Sequence, residues 1–208
     1  MAIYLVRHGK DEDGFRGGWS QKGLTNEGIE QTTRLGKYLK EHKKDFMIHR
    51  IITSDLKRAI ETSKHIDESI PLPIEKSKDW RETNNGVLAG MPNDAADKQY
   101  PGLYFNSLEM DERYPGGESP IENFIRIKRA FKGICEEQKK RNHQENVLIV
   151  THGGVINIIY HILKRKHWTN KKKPFPSSYT SIHKIEYIDK NWEITQENLD
   201  VHLSPDFD

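Results

Sequence analysis

Two histidines in this chain sit in matching surroundings. Ile3-Tyr4-Leu5-Val6 runs into Arg7-His8-Gly9, and Val147-Leu148-Ile149-Val150 runs into Thr151-His152-Gly153-Gly154. Each apolar run reads as a short buried strand. The polar residues at its carboxyl end fall where open α/β sheets bind ligands. A third strand, Arg50-Ile51-Ile52-Thr53-Ser54, leads into a helix that carries Arg58 near its start. If the three strands are parallel neighbours, Arg7, His8, Arg58 and His152 share one pocket. So many potential cations repel one another unless an anion relieves them. A tetrahedral oxyanion fits best, because arginine forks match phosphate oxygens two at a time. Helix starts near Asp55 and Gly153 can add backbone N–H donors to the same anion.

Beside bound phosphate, a neutral imidazole is a good nucleophile toward phosphorus. Neighbouring arginines disfavour its protonated form, so His8 is expected to stay neutral near pH 7. Attack gives a phosphohistidine, which water then hydrolyses. The leaving alkoxide needs a proton, and Glu82, in a glycine- and asparagine-rich loop, is the candidate acid. Glu118 is a possible competitor, but in Gly117-Glu118-Ser119 it is expected to serve the cap of the helix that follows. The chain holds 10 histidines, but no His-x-His or Glu-x-x-His set accompanies them, so no metal site is expected. His161 and His167 flank a helix end and need no role.

The elements that must hold these residues alternate between strand and helix. Thr25 is the expected cap of a helix running to about His42, with Leu35, Tyr38 and Leu39 on its apolar side. Ser54 or Asp55 is the expected cap of the helix from Leu56 to about Ser69. Pro71 and Pro73 demand an edge strand or an extended link. Segment 83–119 is irregular and reads as a lid or insertion, with one short helix around Asn93–Gln99. Ser119 and Pro120 open a helix that continues to about Asn142. A helix over Val155–Lys164 follows the last histidine. Residues 181–188 alternate, 189–191 turn and 192–195 return, which is a hairpin. The tail from about Asn198 has little to hold it. These elements argue an α/β fold of three layers, α/β/α, with a mostly parallel central sheet and an antiparallel edge hairpin near the C-terminus. No linker splits the 208 residues, so 1–208 reads as one domain.

The bulk numbers exclude several classes. Charged residues make up 31% and the net charge is +2, so no strong field for nucleic acid or membrane exists. Lys171-Lys172-Lys173 reads as a solvated loop, since nothing basic and aromatic extends it. The single cysteine, Cys135, rules out an internal disulfide framework and is expected in a buried helix face. No apolar run approaches the roughly 20 residues of a membrane span. Residues 1–15 lack the apolar segment of a signal peptide. A soluble cytoplasmic protein is expected.

Six blocks, taken together, are similar to the histidine phosphatase superfamily, the phosphoglycerate mutase-like family. They are Leu5-Val6-Arg7-His8-Gly9, residues 23–28, residues 54–62, Glu82-Thr83-Asn84-Asn85-Gly86, Gly116-Gly117-Glu118-Ser119, and Val150-Thr151-His152-Gly153-Gly154. The resemblance covers residues 3 to about 164. It implies a phosphorylated nucleophile at His8, phosphate-binding arginines at Arg7 and Arg58, a second histidine at His152 on the phosphoryl oxygens, and an acid/base carboxylate at Glu82. No metal or organic cofactor is implied. Two positions depart from the family pattern. Many members carry a small hydroxyl residue three positions after the histidine and an asparagine three further on; here these are Asp11 and Gly14. An extra carboxylate near the mouth could disfavour acidic substrates. Trp80 also stands where leucine is common.

The expected activity is hydrolysis of a small-molecule phosphomonoester, with no metal, through a phosphohistidine. A cofactor-dependent phosphoglycerate mutase is the alternative. The family's mutases hold a small acidic substrate with extra arginines, whereas residues 83–119 contain one arginine, Arg113. A non-catalytic phosphate-binding regulatory module is a second alternative, disfavoured because binding alone needs neither His8 nor Glu82. Ala89, Met91, Tyr100, Leu103, Tyr104 and Phe105 hint at an apolar wall for a substrate with an organic body.

Overall fold

Strand β1, Ala2–Arg7, occupies an inner position of a six-stranded sheet in the computed structural model, which describes residues 1–140, 145–205 and 207. Its neighbours are β4 (Asn146–Thr151), parallel, and β5 (Ile182–Ile188), antiparallel. Beyond β4 lie β2 (Ile48–Ser54) and then β3 (Ile74–Ser77), both parallel. Beyond β5 lies β6 (Asn191–Leu199), which closes the hairpin. The order is β3-β2-β4-β1-β5-β6, so the four strands before the hairpin run parallel and the hairpin supplies the antiparallel edge.

Alternation along the strands explains the three layers. Ile3 and Leu5 of β1 and Val147 and Ile149 of β4 face one side. There they pack on α5 (Pro120–Lys140) and α6 (Gly153–Leu163) through Ile127, Phe131, Ile156 and Ile159. Tyr4 and Val6, with Leu148 and Val150, face the other side. They meet α1 (Asn26–Glu41), α2 (Lys43–Phe46) and α3 (Lys57–Ser69) through Leu35, Leu39, Phe46, Ala59 and Ile66. Both sheet faces are covered, so β1 and β4 are apolar throughout rather than alternating in polarity. Cys135 is buried on α5.

The helix starts follow local chemistry. Thr25 caps α1, its hydroxyl accepting from Gly28 N at 3.0 Å. Ser119 and Glu122 form a reciprocal capping box at α5: Glu122 N donates to Ser119 Oγ at 3.3 Å, and Ser119 N donates to Glu122 Oε2 at 2.9 Å. The capping carboxylate is therefore Glu122, not Glu118. At α3 the expected cap by Asp55 is absent. Asp55 instead binds Arg81 side by side, with Nη2 to Oδ2 at 2.7 Å, and Ser54 Oγ accepts from Leu56 N at 3.4 Å. Helix α5 is described to Lys140, so its expected end near Asn142 falls outside the described residues.

Three other expectations change. The short helix in segment 83–119 is α4, Asn93–Gln99, but the rest of that segment is ordered around its own buried cluster of Leu88, Ala96, Leu108 and Tyr114. Trp80 closes a short 3-10 turn and is buried under α5 and α6, where its carbonyl accepts from Thr151 Oγ1 at 2.8 Å. A large ring there fills the core beneath the sheet's carboxyl end. The C-terminal tail is held: β6 runs to Leu199, a 3-10 turn follows at Val201–Leu203, and Arg34 of α1 donates to the carbonyls of Ser204 and Phe207.

Two buried histidines away from the strand tips tie the hairpin and tail to the sheet. His183 Nδ1 lies 2.6 Å from the Tyr160 hydroxyl and its Nε2 lies 3.0 Å from Ser181 Oγ. His202 Nε2 lies 2.8 Å from Thr180 Oγ1. Burial lowers both imidazoles to about 4, against nearby carboxylates that oppose the shift. Below an unfolded-state value of about 6.5, the unfolded chain therefore binds protons that the folded chain refuses. Stability is intact above that pH and declines as pH falls toward 4. Each histidine contributes up to about 1.4 kcal/mol per pH unit in that window. Thermal melts between pH 7.5 and 4.5 should show a steep acid loss that His202→Gln makes shallower; parallel profiles for the two proteins would remove His202 as a cause.

Candidate active site

Register brings the two sequence-distant histidines together. Arg7 pairs with Thr151 across β1 and β4, and the ladder continues as His8 N donates to Thr151 O at 3.0 Å. Residues 8 and 152 thus leave neighbouring parallel strands at the same level. Their rings lie 5.0 Å apart, centroid to centroid. On the far side of β4, Ser54 ends β2, and its Oγ lies 2.8 Å from His152 Nε2.

Arg58, in the first turn of α3, is 2% exposed and reaches the same point. Its Nε donates to His8 Nε2 at 3.2 Å, Nη1 to Ser20 O at 3.1 Å, and Nη2 to Gly18 O at 2.8 Å. Asp11 Oδ2 is 3.5 Å from the same Nε. Gly18 has φ +58°, and a Cβ there would fall 2.0 Å from Asn85 Oδ1, so only glycine delivers that carbonyl to the guanidinium.

These contacts set the protonation of His8. Nδ1 is 2.7 Å from the carbonyl of Gly9, which can only accept, so Nδ1 carries the hydrogen. Nε2 is left with its lone pair, which accepts from Arg58. Burial, then the Arg58 and Arg7 charges, hold the imidazole well below its usual range, with the Gly9 carbonyl opposing. His152 is lowered in the same way by burial, Arg58 and His8. Ser54 Oγ also accepts from Leu56 N, and it shares a hydrogen bond with His152 Nε2, which occupies that side of the ring. His152 Nδ1 is buried with no partner. Arg7 donates through Nη1 to Ser177 O at 2.6 Å and its guanidinium lies 4.0 Å over the Tyr179 ring, while its Nε is also buried without a partner. Two buried nitrogens without partners thus flank His8 at the strand ends.

Glu82 approaches from the loop after β3. Its Oε1 accepts from Thr83 N and its Oε2 from Gly154 N, both at 3.0 Å. Gly154 lies in the first turn of α6, where the helix favours a negative group. A Cβ on Gly154 would sit 2.3 Å from Glu82 Oε1. Arg126 of α5 fixes the loop from behind, donating to the carbonyls of Asp79, Arg81 and Glu82 at 3.0, 2.9 and 3.1 Å, and pairing with Glu118 at 2.6 Å. Trp19 Nε1 adds a bond to Glu82 O at 2.8 Å.

Arg7, His8, Glu82 and Gly153 line a cleft of about 920 Å³. Arg58 and His152 stand directly behind His8 in the buried floor. Several sequence expectations change here. Asp11 does not face the mouth; it turns back to Arg58. Glu118 is committed to Arg126 and to Asn84 N at 2.8 Å. Arg113 is exposed and bound to Glu122 through Nε at 2.7 Å, away from the cleft walls. Lys171–Lys173 are exposed on a loop, as expected; Lys171 pairs with Glu109, and Lys172 and Lys173 also border the cleft. Leu103, Tyr104 and Phe105 do form part of the wall, whereas Met91 and Tyr100 pack against the small cluster beneath. Sequence reasoning did not find Ser54, Arg126 or Tyr179. Ser54 was considered only as a cap, and a lone arginine on the polar side of a long helix carries no local signal.

Comparison with known proteins accords with this geometry. The family model described as histidine phosphatase superfamily (branch 1) matches residues 3–200. An uncharacterized phosphatase, PhoE, of Bacillus subtilis is 29% identical over 98% of this chain and 97% of its own length. A metal-independent phosphoserine phosphatase of Arabidopsis thaliana is 28% identical over 97% of this chain and 83% of its own. The solved structure of Bacillus stearothermophilus YhfR superposes with a TM-score of 0.81 at 26% identity, covering 98% and 99% of the two chains. Relatives named as phosphoglycerate mutases also occur. The chain, with its paired strand-end histidines, belongs to the histidine phosphatase superfamily.

Proposed function

We propose that this protein hydrolyses phosphomonoesters, without a metal ion, through a phosphohistidine on His8 Nε2. The observation that carries the reading is an unprotonated Nε2 beside an orphaned buried donor on Arg7 and an unpartnered ring nitrogen on His152. An acceptor-rich anion relieves such groups, since a buried unpaired donor costs about 1–3 kcal/mol. A substrate phosphoryl group supplies it. Its oxygens take over N–H groups of Arg7, Arg58 and His152, and Gly153 borders the same space. Once an oxygen draws off the Arg58 Nε hydrogen, the His8 lone pair is released to attack phosphorus in line.

As the Nε2–P bond forms, the P–O ester bond breaks, and a proton brought in on the substrate's phosphate monoanion passes through Glu82 to the departing oxygen. The carboxylate then takes a proton from water, whose oxygen attacks phosphorus and breaks the Nε2–P bond. Phosphate leaves and His8 returns to its Nδ1–H form. The name of the phosphoserine phosphatase relative points the same way on metal independence. A reducing compartment suits the single buried thiol, so we place the protein in the cytoplasm.

Hydrolysis of p-nitrophenyl phosphate should persist in excess chelator. His8→Ala should lower it by about 10³-fold or more while vanadate still binds, because the oxyanion donors remain; chelator-sensitive turnover would overturn the mechanism. Glu82→Ala should slow alkyl esters by about 10²-fold or more and aryl esters far less, since only the alkoxide needs the proton. Equal losses on both would remove Glu82 as the acid. Gly154→Ala should leave the melting temperature nearly unchanged, because the new Cβ meets only the movable end of Glu82. It should nevertheless reproduce the alkyl-selective loss in kcat.

A further inference from the structure

We propose that the outer half of the cleft binds a nucleoside-sized, ring-containing alcohol that carries a second anionic group, a phosphate or carboxylate, far from the scissile phosphate. This rests on the phosphatase reading above and names its substrate class. The cleft is far too large for a three-carbon phosphate and falls in the range that encloses drug-sized ligands. Its outer wall is built from two segments clasped together. Asn170 Nδ2 donates to the carbonyls of Phe105 and Leu108, at 2.5 and 2.8 Å, and Lys171 pairs with Glu109 at 2.6 Å. Along the cleft stand the exposed or half-buried rings of Tyr104, Phe105 and Phe175, apolar surface suited to a ring.

The charges along the cleft are uneven. Arg16 at the rim is neutralised by Asp97 at 2.5 Å. Lys172 and Lys173 line the cleft and have no acidic partner among the described residues. The scissile phosphate belongs with Arg7, Arg58 and His8, so these two lysines answer to a different anion.

The test measures kcat/KM for a nucleoside 3′,5′-bisphosphate, the matching 5′-monophosphate and 2,3-bisphosphoglycerate, with wild type and a Lys172→Ala/Lys173→Ala variant. The bisphosphate should exceed the monophosphate by about tenfold at low salt, mostly through KM, and the gap should narrow as salt rises. In the double variant the ratio should fall toward one. Equal values for the two nucleotides in wild type, or an unchanged ratio in the variant, would overturn the second-anion assignment. Preference for 2,3-bisphosphoglycerate would overturn the ring chamber. Failure of the phosphatase reading itself is separate: it appears as p-nitrophenyl phosphate turnover that survives His8→Ala.

Discussion

Burial of the Arg58 guanidinium is the constraint that organises the site. A charge taken out of water costs several kcal/mol unless fixed dipoles or counter-charges replace the solvent. Here the replacements are the carbonyls of Gly18 and Ser20, the lone pair of His8 and the carboxylate of Asp11. Each has a structural consequence. The two carbonyls pull the loop before α1 over the strand tips. The bond to Nε2, with Gly9 on the other nitrogen, fixes the His8 tautomer. The same charge, together with burial, keeps both site histidines neutral. One buried cation thereby positions the loop and orients the His8 ring, and on the proposed mechanism it also draws in the phosphoryl group.

Asp11 has a balanced part in this arrangement. Burial raises its carboxyl above the usual range, while Arg58 pulls it down. Burial also lowers the Arg58 guanidinium, with Asp11 opposing. A negative charge beside Arg58 softens the positive field at the strand tips. The sequence departure at this position therefore acts inward on an arginine. It does not screen substrates at the entrance.

Much of this was legible in the chain because the signals are local. Apolar runs ending in Arg7-His8-Gly9 and Thr151-His152-Gly153 give strands with reactive tips, and parallel pairing of buried strands follows from strand-helix alternation. Arg58 was legible because its place in the first turn of α3 follows from the strand before it. What escaped depends on long-range packing. Arg126 matters only because α5 passes behind the Glu82 loop. Tyr179 matters only because Arg7 lies over its ring. Lys172 and Lys173 are solvated as expected, but nothing near them in sequence shows that their loop clasps the segment around Phe105 and borders the cleft. The tail looked loose because its anchor, Arg34, lies on α1, far away in sequence.

The choice between hydrolysis and mutase chemistry turns on what fills the cleft after the first transfer. A mutase must keep water off its phosphohistidine while a small acid reorients beside it. That requires a close-fitting chamber with cations near the nucleophile. Here Arg113, the one arginine of segment 83–119, is turned outward to Glu122, so that segment adds no cation to Arg7 and Arg58 beside His8. On the proposed mechanism a departing alcohol vacates part of the 920 Å³ cleft that Glu82 lines, and water fills it. Charge placement and free volume therefore both favour water as the second nucleophile.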